Sequence, residues 1–155
     1  MNSDIISVEG RIKAYAINPI TKEIISFSEC KNTITTQGKA RIAGLSAGIN
    51  TPIRYLGVGS SSTAPNASQT ALQSELSPRI RKSVSGSLDG ATVTFSGTYY
   101  MDEANNGTGN NNVFAEVALF DASEGGLMFC RGLLNPIITK DQTMEIIIYY
   151  QLTFA

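Results

Sequence analysis

The C-terminal third of the chain has the clearest alternation of apolar and polar residues. Residues 113–121 and 127–132 flank a turn at 122–126, which predicts a β-hairpin. The run 143–154 would place one apolar set on a single strand face: Met144, Ile146, Ile148, Tyr150, Leu152 and Phe154. Ile147 and Tyr149 would then lie on the opposite face. We predict that this run is a core strand of an antiparallel β-sandwich.

Earlier segments also have strand-like composition. Five runs alternate or are rich in β-forming residues: 7–17, 23–29, 53–58, 79–86 and 92–100. Asn18-Pro19 separates the first two, and the segment 87–90, which ends in Asp-Gly, separates the last two. We therefore expect a hairpin at each of these positions.

One segment changes to a helical period. Thr35-Thr36 offers an N-cap, and Gly48 ends a stripe of small and apolar residues: Ala40, Ala43, Leu45 and Ala47. Gly38 and Gly44 each weaken a helix by about 1 kcal/mol relative to Ala, so packing on the sheet must hold it. The fold class predicted is mainly β, an antiparallel β-sandwich or jelly-roll with one short helix (about 36–47).

Two connections are less regular. Ser68, Leu72 and Leu76 have the spacing of a short helix or turn, which Pro78 would end. Residues 102–112 are almost entirely polar and form the longest predicted loop. With 155 residues, the chain is expected to form a single domain over 1–155 that needs no metal or disulfide to fold.

Composition restricts the function classes. Charged residues make up 16% of the chain and the net charge is −1, so no basic surface for nucleic acid is expected. Low charge combined with 42% apolar residues favours a surface partly covered by a partner; the alternative is an uncharged polar surface built from Ser, Thr and Asn. No run is long enough to cross a membrane, and the N-terminus does not resemble a secretory signal, so we expect folding in a cytoplasm.

Candidate chemistry is sparse. The chain contains no His, which excludes Ser-His and Cys-His nucleophile systems. The acids have no spacing that would hold two of them around a scissile bond: Glu75, Asp102, Glu103, Glu116, Asp121 and Glu124. We therefore predict no catalytic residues and no enzyme activity.

Motifs for cofactors and metals also fail. The segment 57–62 (GVGSSS) lacks both the third glycine of a dinucleotide loop and a Gly-Lys-Ser/Thr ending. Asp102 begins a calcium-loop-like run, but Ala104 and Val113 stand where ligands are needed. Cys30 and Cys130 have no neighbouring His or Cys and are expected to be buried, reduced thiols. The sequence predicts no cofactor and no metal.

Several stretches, taken in order, resemble a known class of proteins. They are residues 32–43 (NTITTQGKARIA), 53–65 (IRYLGVGSSSTAP), 70–76 (TALQSEL), 116–121 (EVALFD), 125–131 (GGLMFCR) and 145–154 (EIIIYYQLTF). Together they resemble the small β-rich virion structural proteins of tailed bacteriophages, both head-decoration-like and tail-fibre-like. The resemblance covers residues 30–155 and implies a virion location after assembly in the host cytoplasm.

This resemblance implies a structural role with phage capsid or tail proteins as partners. The chain lacks the repeats or heptads of an extended fibre, so we favour a capsid decoration or cement protein. The alternatives are a tail-fibre, tail-adaptor or baseplate component, or a carbohydrate- or receptor-binding module. The uncovered N-terminal segment, 1–29, is a candidate docking hairpin.

Two pairs of residues are candidate contact sites. Ile147 and Tyr149 could form the interface of a homo-oligomer, with a trimer favoured, or could instead be buried against the helix at Ile42 and Leu45. In the binding-module alternative, Tyr99 and Tyr100 would offer stacking surfaces for a ligand, although tyrosines in strands also serve in packing.

Overall fold

The computed structural model of the protein describes residues 6–76, 80–105 and 112–155. Within these residues the chain forms one helix and nine strands. The elements are β1 (Val8–Ile17), β2 (Ile24–Ile34), α1 (Thr36–Ser46), β3 (Tyr55–Gly59), β4 (Lys82–Ser83), β5 (Ser87–Asp89), β6 (Thr92–Tyr99), β7 (Val113–Phe120), β8 (Met128–Thr139) and β9 (Glu145–Phe154). The mainly β composition with one short helix confirms the predicted class.

The nine strands hydrogen-bond in one antiparallel series, in the order β4-β3-β7-β8-β2-β1-β9-β6-β5. Strand β2 links the strands β4-β3-β7-β8 to the strands β1-β9-β6-β5. Its first part pairs with β1, and its residues 32–34 pair with β8. Strands β3 and β4 also contact β6, which brings distant parts of the series together. The strands thus form one curled sheet instead of the two separate sheets expected for a jelly-roll.

The core lies on the inner face of this curl. Strand β9 pairs with β1 on one side and β6 on the other, so it is an interior strand as predicted. Its alternate residues are buried, and they pack with inward residues of β1 and β6: Ile146, Ile148, Tyr150, Leu152, Ile12, Ala14 and Phe95. Phe154, at the strand end, is only partly buried.

Helix α1 has the end signals that its sequence predicts. The Thr35 side chain accepts a hydrogen bond from the Gly38 N–H at 2.9 Å, as an N-cap residue does. At the other end, Gly48 has a φ of 89° and donates to Leu45, while Ile49 donates to Gly44. This is the Schellman arrangement, in which glycine readily adopts the left-handed conformation. The helix therefore ends one residue before the predicted boundary.

Two local predictions have different outcomes. The short helix or turn predicted around Ser68, Leu72 and Leu76 is a turn at 67–68 followed by bends, and Leu72 and Leu76 are buried. The hairpin predicted between 79–86 and 92–100 is wrong. The second hairpin joins β5 to β6 through Gly90, whereas residues 82–83 pair with β3. The Val84 N–H donates to the Arg54 carbonyl at 2.8 Å, so the segment before β5 is drawn to the opposite end of the sheet.

The N-terminal hairpin is present and forms part of the sheet interior. Strand β1 pairs with β9 over its whole length and with β2 on its other side. Ile12, Ala14 and Ala16 are fully buried in the core. Removal of 1–29 would therefore take away core strands, and any docking role of this hairpin must use its outward side chains.

Gly38 is the point where α1 approaches β8 most closely. A Cβ atom there would lie 2.7 Å from the carbonyl carbon of Phe129 and 2.8 Å from its Cα. We expect Gly38→Ala to lower the free energy of unfolding by about 1–3 kcal/mol, despite the better helix propensity of Ala. Chemical denaturation measures this change.

Gly44→Ala is the matched control within the same helix. The nearest atoms to its Cβ would all belong to the side chain of the exposed Ile49, with Cδ1 at 2.8 Å, and that side chain can rotate away. We expect this variant to be as stable as the original protein or more stable. Equal stabilisation by both substitutions would contradict a close contact at Gly38.

Candidate interaction surface

The outward side chains of the central strands form an apolar cluster. In the register of the sheet, Tyr15 of β1 lies opposite Phe27 of β2 and opposite Ile147 of β9. Tyr149 lies two residues further along β9, on the same face. We call these four residues, Tyr15, Phe27, Ile147 and Tyr149, the outer aromatic patch.

Ring contacts order the patch. The Tyr15 and Phe27 ring centroids are 4.9 Å apart, and Tyr15 meets Tyr149 edge to face at 6.0 Å. Phe27 and Tyr149 nevertheless keep 41% and 40% of their surface exposed. Because each ring restricts the motion of the next, the patch presents apolar surface at little further entropic cost of ordering.

Polar side chains occupy the neighbouring part of the same face. Arg11 and Glu29 form an exposed ion pair at 3.0 Å. Arg11 also lines a depression of about 430 Å³, whose other residues are mostly charged or hydroxyl-bearing, among them Glu9, Lys13, Lys31, Asp89, Thr94 and Thr153. The outer face therefore combines an aromatic area with a polar border, which is the usual composition of a protein interface.

The structure decides between the two arrangements considered for Ile147 and Tyr149. Both lie on the outer face, and Tyr149 is exposed. Ile42 and Leu45 instead line a groove of about 950 Å³ together with Leu152, on the core side of β9. Burial of the pair against α1 is therefore wrong, while their use as an interface stays a prediction.

Sequence reasoning missed Tyr15 and Phe27. The alternation in residues 7–17 places Tyr15 among polar residues, which was the available signal for an outward position. Its meeting with Tyr149 depends on the pairing of β1 with β9, strands separated by most of the chain. A pattern within one strand cannot supply that information.

The two predicted stacking tyrosines are in different environments. Tyr99 is fully buried, its ring packs edge to face on Phe114 at 5.0 Å, and its hydroxyl donates to the Ile80 carbonyl at 2.8 Å. Burial raises the pKa of Tyr99 far above its usual value. Tyr99 therefore cannot stack on a ligand, whereas Tyr100 is 54% exposed and keeps that prediction open.

Glu116 and Arg131 form a buried ion pair between β7 and β8. The Arg131 Nε donates to Glu116 Oε2 at 2.6 Å, and both side chains are almost entirely unexposed. The carboxylate also accepts the backbone N–H groups of Ser74 at 2.7 Å and Gln73 at 3.1 Å, and Arg131 Nη1 reaches Gln69 at 3.1 Å. This network holds the segment 69–74 against the sheet, so the role shown for Glu116 is structural.

The two cysteines lie in different surroundings. Cys130 is buried, Cys30 is half-buried, and both are free thiols. Burial raises the pKa of Cys30 to about 11, assisted by the Glu29 charge, and raises that of Cys130 to about 12. Both groups therefore stay thiols at neutral pH and are poor nucleophiles there.

In the described part of the chain, no three His, Cys, Asp or Glu residues are grouped closely enough to hold a metal ion. The described residues include no helix that is both long and apolar enough to cross a bilayer. No family model, curated protein or solved structure matches the chain.

We expect Glu116→Gln to lower the free energy of unfolding by about 3–5 kcal/mol, because Arg131 would remain buried without its counter-charge. Denaturant titration measures the loss. Combining this change with Arg131→Met should recover part of it.

The matched control is Glu29→Gln, which breaks the exposed ion pair with Arg11. That change should cost no more than about 1 kcal/mol, since solvent screens an exposed pair. Similar losses from the two single substitutions would show that the buried pair does not hold the segment 69–74.

Proposed function

We propose that this protein is a non-enzymatic structural component of a tailed-bacteriophage virion, most specifically a capsid decoration protein that stabilises the particle by adhesion. The observation that carries the adhesive role is the outer aromatic patch, which lies on a sheet whose opposite face is packed into the core. The assignment to a virion is supported by the resemblance of residues 30–155 to phage structural proteins.

The patch has the properties that adhesion requires. Its rings pack against one another, so little side-chain entropy is lost on binding. Aromatic side chains are enriched at the centres of interfaces, and the Arg11–Glu29 pair lies on its polar side. On a symmetric particle, many such modest contacts add up to strong attachment through multivalency.

The N-terminal hairpin contributes half of this surface. Tyr15 and Phe27 come from β1 and β2, and Ile147 and Tyr149 come from β9. The docking role expected for residues 1–29 is thus assigned to the outward side chains of that hairpin. A homotrimer, in which copies meet through or beside the patch, is the favoured assembly.

The alternative roles, in the phage tail or in ligand binding, would require other partners for the surface of this protein. A tail-fibre, tail-adaptor or baseplate component would employ the outer aromatic patch against a tail protein. A carbohydrate- or receptor-binding module has less support, since only Tyr100 of the predicted stacking pair is exposed. The curled sheet offers no elongated shaft, so capsid decoration remains the preferred assignment.

We expect the double variant Phe27→Ser/Tyr149→Ser to bind its particle or its own copies at least about tenfold more weakly, because losing central interface aromatics typically costs more than 1 kcal/mol each. Light scattering measures self-association, and co-sedimentation with particles lacking the protein measures attachment. The control is Leu88→Ser, which removes another exposed apolar side chain, 78% exposed, outside the patch.

Unchanged binding of the folded double variant in both assays would rule out the patch as the adhesive surface. Electron cryomicroscopy of virions from the parent phage distinguishes the locations. Density for this fold on the capsid supports decoration, density on the tail supports the alternative, and absence from the virion overturns the proposal.

A further inference from the structure

Lys140 is a buried lysine held by uncharged groups. It follows β8 directly, has 0% of its surface exposed, and its Nζ lies 2.6 Å from the side-chain oxygen of Asn105. The Asp141 and Met101 carbonyl oxygens accept from the same Nζ at 3.3 and 3.4 Å. Lysines are rarely buried to this extent without a carboxylate in contact, so the amide of Asn105 is an unusual main partner.

The backbone around both side chains is fixed. The Lys140 N–H donates to the Asn112 carbonyl at 2.8 Å, and the Asn112 side chain donates to the Lys140 carbonyl at 3.0 Å. On the opposite side, the side-chain amide of Asn105 donates to the Met101 carbonyl. Glu103 closes the same turn by accepting the Tyr100 N–H at 2.8 Å. The amine and the amide are therefore held facing each other.

The surroundings of Lys140 increase the fraction of its amine that is neutral. Burial lowers the pKa of Lys140, and this effect exceeds the opposing attraction of the surrounding acids. Those acids are Glu103, Asp141, Asp102 and Glu145. A lysine whose pKa falls through burial is a better nucleophile at neutral pH than an exposed one.

We propose that Lys140 and Asn105 form an intramolecular isopeptide bond. The Nζ of Lys140 attacks the side-chain carbonyl carbon of Asn105, and a tetrahedral intermediate forms. A proton moves from the attacking nitrogen to Nδ2, the C–Nδ2 bond breaks, and ammonia leaves. One amine and one amide thus give one secondary amide and one ammonia, so the step needs no oxidant, reductant or co-substrate.

The short distance between the amine and the amide raises the expected rate of this reaction. Because Nζ lies 2.6 Å from the side-chain oxygen of Asn105, the carbonyl carbon bonded to that oxygen is at most about 3.8 Å away. A small side-chain rotation is enough to bring the two atoms to the separation of about 3–3.5 Å at which such atoms react. Intramolecular pairs that are well oriented reach effective molarities of about 10⁵–10⁸ M. The Lys140 side chain has no exposed surface, which keeps bulk water away from Nζ.

The product would cross-link the turn after β6 to the end of β8. It would covalently close the part of the chain that contains β7 and β8, two interior strands of the sheet. A closed loop restricts the unfolded chain and so favours the folded state, as a disulfide does. The inference concerns stability and does not depend on the proposed virion role.

Mass spectrometry of the intact, denatured protein tests the proposal. After incubation of the folded protein at mildly alkaline pH, the expected mass is lower than the sequence mass by one ammonia. Trypsin should then fail to cut after Lys140 and should release a branched peptide that joins residues 83–131 to residues 132–155. An unbranched digest from folded protein would overturn the proposal.

Three variants make the assignment specific. Lys140→Arg and Asn105→Ala should each remove the branched peptide, with circular dichroism confirming that the half-buried Asn105 site tolerates the change. Lys39→Arg alters an exposed lysine of α1 and should keep the branch. Persistence of the branched peptide in either of the first two variants would also overturn the proposal.

Succinimide formation is the competing source of ammonia loss. Next to Asn105 in the sequence, the backbone nitrogen of Gly107 can attack the side-chain carbonyl carbon of Asn106 and release ammonia. That product leaves cleavage after Lys140 intact and gives no branched peptide. Ammonia loss with normal cleavage after Lys140 would therefore reject the isopeptide bond.

Discussion

The structure depends on the register of β9 between β1 and β6. This strand pairs along nearly its full length with both neighbours, so its position is determined from two sides. Side chains alternate with a period of two, and a slip by one residue would bring Tyr149 into the core and expose Tyr150. The same register therefore produces both the packed interior and the outer aromatic patch.

Buried polar groups make this arrangement more specific. The Glu116–Arg131 pair holds the segment 69–74 on the sheet, and Asn32 donates to the Tyr150 hydroxyl at 2.6 Å inside the core. Each of these groups would be costly to bury without its partner. The patch is thus presented by a scaffold whose polar contacts restrict alternative packings.

This organisation gives the proposed adhesive role a physical basis. A surface formed by interior strands cannot easily detach from the fold, unlike a terminal arm. The N-terminal hairpin illustrates the point, because Ile12 and Ala14 are core residues while Tyr15 faces outward on the same strand. Core packing and partner binding are therefore assigned to opposite faces of the same strands.

Local patterns determined part of this protein. The alternation in residues 143–154 predicted β9 and its buried face, and Thr35 with Gly48 predicted α1, because strand faces and helix ends depend on neighbouring residues. Tertiary structure decided the rest. Contacts between distant segments produce the single curled sheet, the pairing of residues 82–83 with β3 and the burial of Tyr99. Such contacts also bring Tyr15 to Tyr149 and Lys140 to Asn105. Such contacts depend on the path of the whole chain, which no local period encodes.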